Sequence, residues 1–365
     1  MLLRARSWLF SLAALAAALA VVVALGGCGT VGYLSQSVHG HLGVMRAARP
    51  VDEWLADAGT PATLRERLLL SQRIRDFAVR ELALPDNASY RRYADLGRPA
   101  VVWNVVAAPE LSLTLKTWCF PVVGCVAYRG YFDRGAADAL AAELLAQGQE
   151  VSVYGVPAYS TLGKLPGDFF ADPLLNTFIG YPEGELARLI FHELAHQVAY
   201  APDDSEFNES FATAVERIGG ARWLAQQAGA AAREEYERFD ARRSDFRALV
   251  LATRAKLDAL YRGPGSEADR RAGKAILLAE MRAEHARLKA GPWNGYGGYD
   301  AWFAQANNAS LGVQSVYNAL VPDFEALFEA QGRNFVRFYA EVRRLSALPQ
   351  PERRATLAAA RPPRS

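Results

Sequence analysis

Apolar positions in this chain recur mostly at helical spacing, interrupted between about residues 100 and 162 by runs with strand-like patterning. From residue 31 to about 95, helical stretches are broken at Pro50, Pro61 and Pro85. The second begins at Thr60-Pro61 and runs through Leu68, Leu69, Ile74 and Phe77. Between Ala100 and Phe132 the runs Val-Val-Trp-Asn-Val-Val, Leu-Ser-Leu-Thr-Leu and Val-Ala-Tyr-Arg-Gly-Tyr-Phe predict a small sheet. Gly135 to Gln149 then predicts an Ala/Leu helix, and Val151 to Leu162 a further strand.

Two helices follow that strand. In Tyr181-Pro182-Glu183-Gly184-Glu185, Pro stands at the first turn and two acids at the positive end of the helix dipole, ahead of Leu186, Leu189 and Ile190. Pro202 closes this helix. The next, Ser205 to Glu216, carries an apolar stripe of Phe207, Phe211, Ala214, Val215 and Ile218 and is closed by Gly219-Gly220, with Asp203 and Asp204 in the turn and at the N-cap.

Beyond Gly220, Trp223–Tyr261 and Ser266–Lys289 are separated by Arg262-Gly263-Pro264-Gly265 and restarted by Ser266 with Asp269. They predict a long antiparallel helical hairpin with solvated Arg/Glu-rich faces and a packed or surface His285. Gly291–Tyr299 predicts a loop able to line a substrate pocket, and Asn307 to Leu320 a return to helix. The Ala/Arg/Pro-rich end from Leu348 onward reads as disordered.

Chemistry concentrates in His192-Glu193-Leu194-Ala195-His196, within the first of the two central helices. Residues four apart share a helix face, so both imidazoles can bind one zinc ion, while Glu193 can reach the open coordination position as general base toward zinc-bound water. A catalytic zinc takes three protein ligands. Glu209, about one turn into the second helix, would be turned back toward the histidines by a tight reversal. Glu206 and Glu216 are the fallbacks, and an Asp from the turn is a minor alternative. The longer motif HExxHxxGxxH is excluded, because Ala199 and Pro202 occupy its last positions.

These residues resemble the gluzincin branch of zinc peptidases, with His192, Glu193 and His196 on one helix and Glu209 in an Asn-Glu pair on the next. More closely, the chain resembles the family of bacterial lipoproteins described as "putative aminopeptidase". Three stretches carry this: Tyr154–Gly163, Trp118–Cys125, and Asn307–Leu311 with Tyr317. The resemblance implies an α+β, mostly helical fold with a small sheet packed on the HExxH helix of a zincin-like core. It also implies one Zn2+ ion, a peptide or protein substrate, and Tyr317 as donor to the oxyanion of the reaction, a core tyrosine being the alternative. In zinc peptidases of this plan the strand before the HExxH helix often forms the cleft edge, so Ala158, Tyr159, Ser160 and Thr161 are the candidate substrate-binding stretch, an ordinary internal strand being the alternative. The thermolysin-like Asp four residues beyond the glutamate ligand is Thr213 here, so support for one histidine comes from elsewhere. No Gly-x-Met-Glu-Asn segment, which large zinc aminopeptidases use for the substrate amine, is present. Endopeptidase action by the same mechanism, and a non-catalytic envelope lipoprotein with a structural metal site, are the alternatives.

Arg4 and Arg6 precede an apolar stretch from Trp8 to Leu25 that ends Gly26-Gly27-Cys28, a secretion signal with a lipoprotein box. An uncleaved membrane anchor is the alternative. The resemblance implies lipidation of Cys28, and Gly29 after it implies outer-membrane attachment facing the periplasm. Removing residues 1–27 takes two of the 41 basic residues and leaves 39 against 39 acidic ones, so nothing attracts nucleic acid. In an oxidising periplasm Cys119 and Cys125 are expected to form a disulfide, two buried free thiols being the alternative. The expected organisation is a signal over 1–27, one zincin-like domain over 28–347 with a helical layer (28–98) and hairpin (223–290), and a disordered tail over 348–365.

Overall fold

α1 (residues 32–47) leads through the two-residue strand β1 (Arg49–Pro50) into α2 (Val51–Ala56) and α3 (Ala62–Leu82). Pro50 and Pro61 are the N-caps of α2 and α3, where a missing N–H has no helical partner to lose. The structure is a computed structural model that describes residues 32–120, 124–159, 167–202, 204–314 and 320–361. Residues 1–28, Ser160, Thr161, Asp203 and Tyr317 lie outside the described residues.

The strands are β2 (Arg92–Ala94), β3 (Val102–Pro109), β4 (Trp118–Phe120), β5 (Gly124–Val126) and β6 (Arg129–Tyr131), then, after α4 (Arg134–Ala146), β7 (Gln149–Val156) and β8 (Leu174–Leu175). Nine helices follow among the described residues: α5 (Glu183–Ala195), α6 (Ser205–Gln226), α7 (Ala230–Arg262), α8 (Glu267–Ala290), α9 (Asp300–Gln305), α10 (Asn308–Val313), α11 (Val321–Ala330), α12 (Phe335–Ser346) and α13 (Gln350–Ala358). The fold is therefore mostly helical with small sheets.

Those sheets differ from the single expected one. β6, β3 and β7 form an antiparallel sheet in that order, β1, β2 and β8 a second, and β4 with β5 a hairpin closed by the Cys119–Cys125 disulfide. β3 is apolar on both faces. Val105 and Ala107 pack with Ala137, Ala141 and Leu144 of α4, while Val106 and Ala108 pack with Ala309 of α10. Helices thus cover both faces of the main sheet, and α5 packs instead on α6, α3 and α7. Asn307 and Asn308 tie this sheet down: Asn307 donates to the Val151 carbonyl at 2.9 Å, and the Asn308 amide to Glu110 O at 2.7 Å.

The main core gathers Leu186, Ile190, Phe191 and Leu194 of α5 with Phe77 of α3, Phe211 of α6, Phe324 of α11 and Phe338 of α12. α6 runs straight through Gly219-Gly220, where a stop was expected. A Cβ on Gly219 would lie 2.7 Å from Leu82 Cδ1, and one on Gly220 2.7 Å from Arg188 Cγ, so packing selects glycine inside the helix. A second core lies around α7 and α8, with Val250, Leu257, Met281 and Phe303. α7 and α8 are joined by a capping box at Ser266 and Asp269. Trp293, expected in a pocket-lining loop, is instead buried there and donates to Asp245 Oδ2 at 3.0 Å. The C-terminal end, expected to be disordered from Leu348, forms α13, with Arg353 and Leu357 buried. Two arginines, Arg353 and Arg354, bound to the Asp204 cap of α6 overcome its weak apolar content.

Candidate metal centre

α5 starts at Glu183 with Pro182 at its N-cap and Glu183 and Glu185 in the first turn, where the dipole favours acids. Burial of Leu186, Ile190, Phe191 and Leu194 fixes its rotation. The helix closes at Ala195, earlier than Pro202, because Gln197 and Val198 donate to carbonyls three residues back and tighten the last turn. His196 is the C-cap and keeps helical angles (φ −58°, ψ −23°), so the one-turn relation between His192 and His196 survives.

The chain then reverses. Asp204 caps α6 by accepting from Phe207 N at 3.1 Å. Asn208 holds the backbone of Ala201 with both ends of its amide, accepting from the N–H at 2.7 Å and donating to the carbonyl at 2.8 Å. In the Asn-Glu pair the first residue thus locks the turn and the second, Glu209, faces the histidines.

His192 Nε2 and His196 Nε2 lie 3.2 Å apart, and Glu209 Oε2 lies 3.4 Å from the first and 3.8 Å from the second. Ligands about 2.0–2.1 Å from a tetrahedral zinc stand about 3.3 Å from one another, so these separations suit such an ion. His192, His196 and Glu209 form a group able to hold a metal. Burial lowers the His196 pKa to about 4, which keeps that ring neutral and its lone pair available. Burial also acts on Glu209, but His196 and His192 outweigh it and hold the carboxylate ionised. At His192, burial disfavours the charged ring, while the adjacent carboxylates of Glu209 and Glu216 outweigh it and raise the pKa.

Glu193 shares this neighbourhood. Burial, and then the negative charges of Glu209, Asp172 and Glu216, push its pKa up to about 7 against the influence of His192. Tyr90, in the left-handed region at φ 63° and fully buried, lies in the electrostatic surroundings of Glu193 and Asp172, its hydroxyl without a hydrogen-bond partner among the described residues. No local pattern marks Tyr90 in the sequence.

The fallback acids are engaged elsewhere. Glu206 pairs with Arg354, and Glu216 approaches the far nitrogen of His192 while binding Arg188. Spacing could have pointed to both members of the latter pair: Arg188 is one turn before His192, and Glu216 two turns after Glu209. His285 stacks on Phe303 of the second core at 4.1 Å and is not in the His192, His196 and Glu209 group.

β7 ends at Val156, so Ala158 and Tyr159 follow the strand instead of lying in it. Among the described residues β7 is an edge of its sheet. Tyr159 packs against the main core, with its hydroxyl 2.6 Å from His41 Nδ1.

Comparison with known proteins gives one family. A family model described as "Putative aminopeptidase" matches residues 32–357. Neither a curated protein nor a solved structure matches the chain.

Proposed function

The chain belongs to the "Putative aminopeptidase" family, and from that premise we propose that it is a zinc-dependent peptidase of the cell envelope, acting as an aminopeptidase from a zincin-like core. The observation that carries this reading is the triangle of His192, His196 and Glu209 donor atoms with the Glu193 carboxyl beside it. Glu216, the next acid, is turned to Arg188 and the outer nitrogen of His192, which leaves three protein donors among the described residues, the number a catalytic zinc takes.

Zn2+ held there would supply Lewis acidity toward a peptide carbonyl and toward water. Glu193 takes the proton of the attacking water and returns it to the leaving amine, roles suited to a carboxyl whose pKa is about 7. Tyr317 donates to the developing oxyanion. The substrate backbone lies along the Ala158–Thr161 stretch, adding a strand. Lipidation at Cys28 tethers the enzyme at the outer membrane, facing the periplasm, where the Cys119–Cys125 disulfide fits the redox conditions.

The test is metal analysis together with digestion of a peptide library, comparing protein that starts at Gly29 with its Glu193→Gln variant. Both should hold one zinc. Only the first should release N-terminal residues, with the variant slower by about 10²–10⁴. Equal turnover would remove Glu193 from the mechanism, and internal cleavage would make the enzyme an endopeptidase.

A further inference from the structure

With Thr213 at the position where thermolysin-like enzymes carry the acid that supports a histidine ligand, that task falls to another group. His192 turns Nε2 toward His196 and Glu209, and its other nitrogen, Nδ1, lies 3.0 Å from Glu216 Oε2. The second Glu216 oxygen is bound by Arg188, whose side chain is only 5% exposed. Arg188 also donates to the Tyr236 hydroxyl at 2.9 Å, which brings α7 to the back of the site.

Two glycines make room for this stack. A Cβ on Gly220, one turn after Glu216 on α6, would lie 2.7 Å from Arg188 Cγ. A Cβ on Gly184, one turn before Arg188 on α5, would lie 2.6 Å from Tyr236 Cδ2. The arginine and the tyrosine are therefore packed into notches cut in both helices that carry the metal donors.

We propose that Glu216 is the positioning residue of the metal centre, orienting His192 through Nδ1, and that Arg188 and Tyr236 form the clamp that holds Glu216 in place. A carboxylate accepting from Nδ1–H selects the tautomer whose Nε2 lone pair faces the metal. Arg188 balances the Glu216 charge and fixes the carboxylate plane. Tyr236 makes the docking of α7 part of the site, although α7 supplies none of the three donors. The inference rests on the metal reading given above.

The experiment is titration of the detergent-solubilised full chain with Co2+, reading the visible spectrum and the dissociation constant by chelator competition. Glu216→Gln should weaken Co2+ binding by about 10–100-fold and change the spectrum, because His192 loses its orientation. Tyr236→Phe, which removes one hydroxyl, should weaken it by about two- to threefold. His196→Ala, a donor variant, is the control for lost binding. A wild-type chain that binds no better than His196→Ala would overturn the metal reading itself. Tight binding by wild type with equal affinity and an unchanged spectrum in Glu216→Gln would overturn this inference alone. Should Glu216→Gln fail to fold, Tyr236→Phe decides, and an affinity and spectrum equal to wild type would refute the clamp.

Discussion

Arg353 Nη1 lies 2.6 Å from Asp204 Oδ2, so the C-terminal helix α13 grips the residue that caps α6, five positions before Glu209. Arg354 binds the same carboxylate. Asp204 is almost wholly buried, and removing one partner of a buried pair leaves an uncompensated charge. Asp204→Ala should therefore lower stability by about 3–5 kcal/mol, read from urea unfolding. A loss near zero would show that α13 does not hold α6.

The same pair sets an acid limit on stability. Burial alone would raise the Asp204 pKa, but hydrogen bonds from Arg354 and Arg353 outweigh it and hold the carboxyl below the usual 3.8. A depressed carboxyl stabilises the fold above its unfolded value and loses that contribution as pH falls through the folded one. The urea midpoint should drop as pH falls below 3.8, towards the lower folded value, and Asp204→Asn should flatten that part of the profile. An identical profile in the variant would assign the acid sensitivity to other groups.

Glu209 and Glu206 stand on the same helix but should behave oppositely. After dialysis with zinc, Glu209→Ala should retain little metal, because a two-histidine site lacks its third donor. Glu206→Ala should keep one ion per chain, since Glu206 is paired with Arg354. Elemental analysis of the two variants decides, and the reverse pattern would move the ligand to Glu206.

The disulfide closes a short loop, Cys119 and Cys125 being six positions apart. Replacing both by Ser should cost about 2 kcal/mol by loop entropy, seen as a lower unfolding temperature under oxidising conditions. No change in that temperature would mean that the β4–β5 hairpin opens independently of the rest.

Much of the centre was legible because it is local. His192, Glu193 and His196 follow from helical spacing, and Glu209 from a reversal only a few residues long. What locks that reversal, Asn208 on the Ala201 backbone, depends on a turn geometry that spacing does not display. The Gly219-Gly220 pair misled in the other direction. Glycine usually ends a helix, yet here the neighbours of α6, Leu82, Phe191 and Arg188, leave no space for a side chain.

The sequence by itself determined the elements whose cause lies within one or two helical turns: the helix of the candidate metal donors His192 and His196, its acids, the capping of α6 and α8, and the strand-rich block near residue 100. Tertiary structure alone decided which distant groups meet. Composition marks the end of the chain as polar, but Arg353 reaches Asp204 across 149 positions and orders a helix there. Apolar alternation marks β3 as a strand, but only the packing of α4 and α10 shows both faces covered, with α5 packed instead on α6, α3 and α7. Helical periodicity is written in neighbouring residues, whereas pairing of charges and filling of notches depends on chain segments that meet only when the whole fold closes.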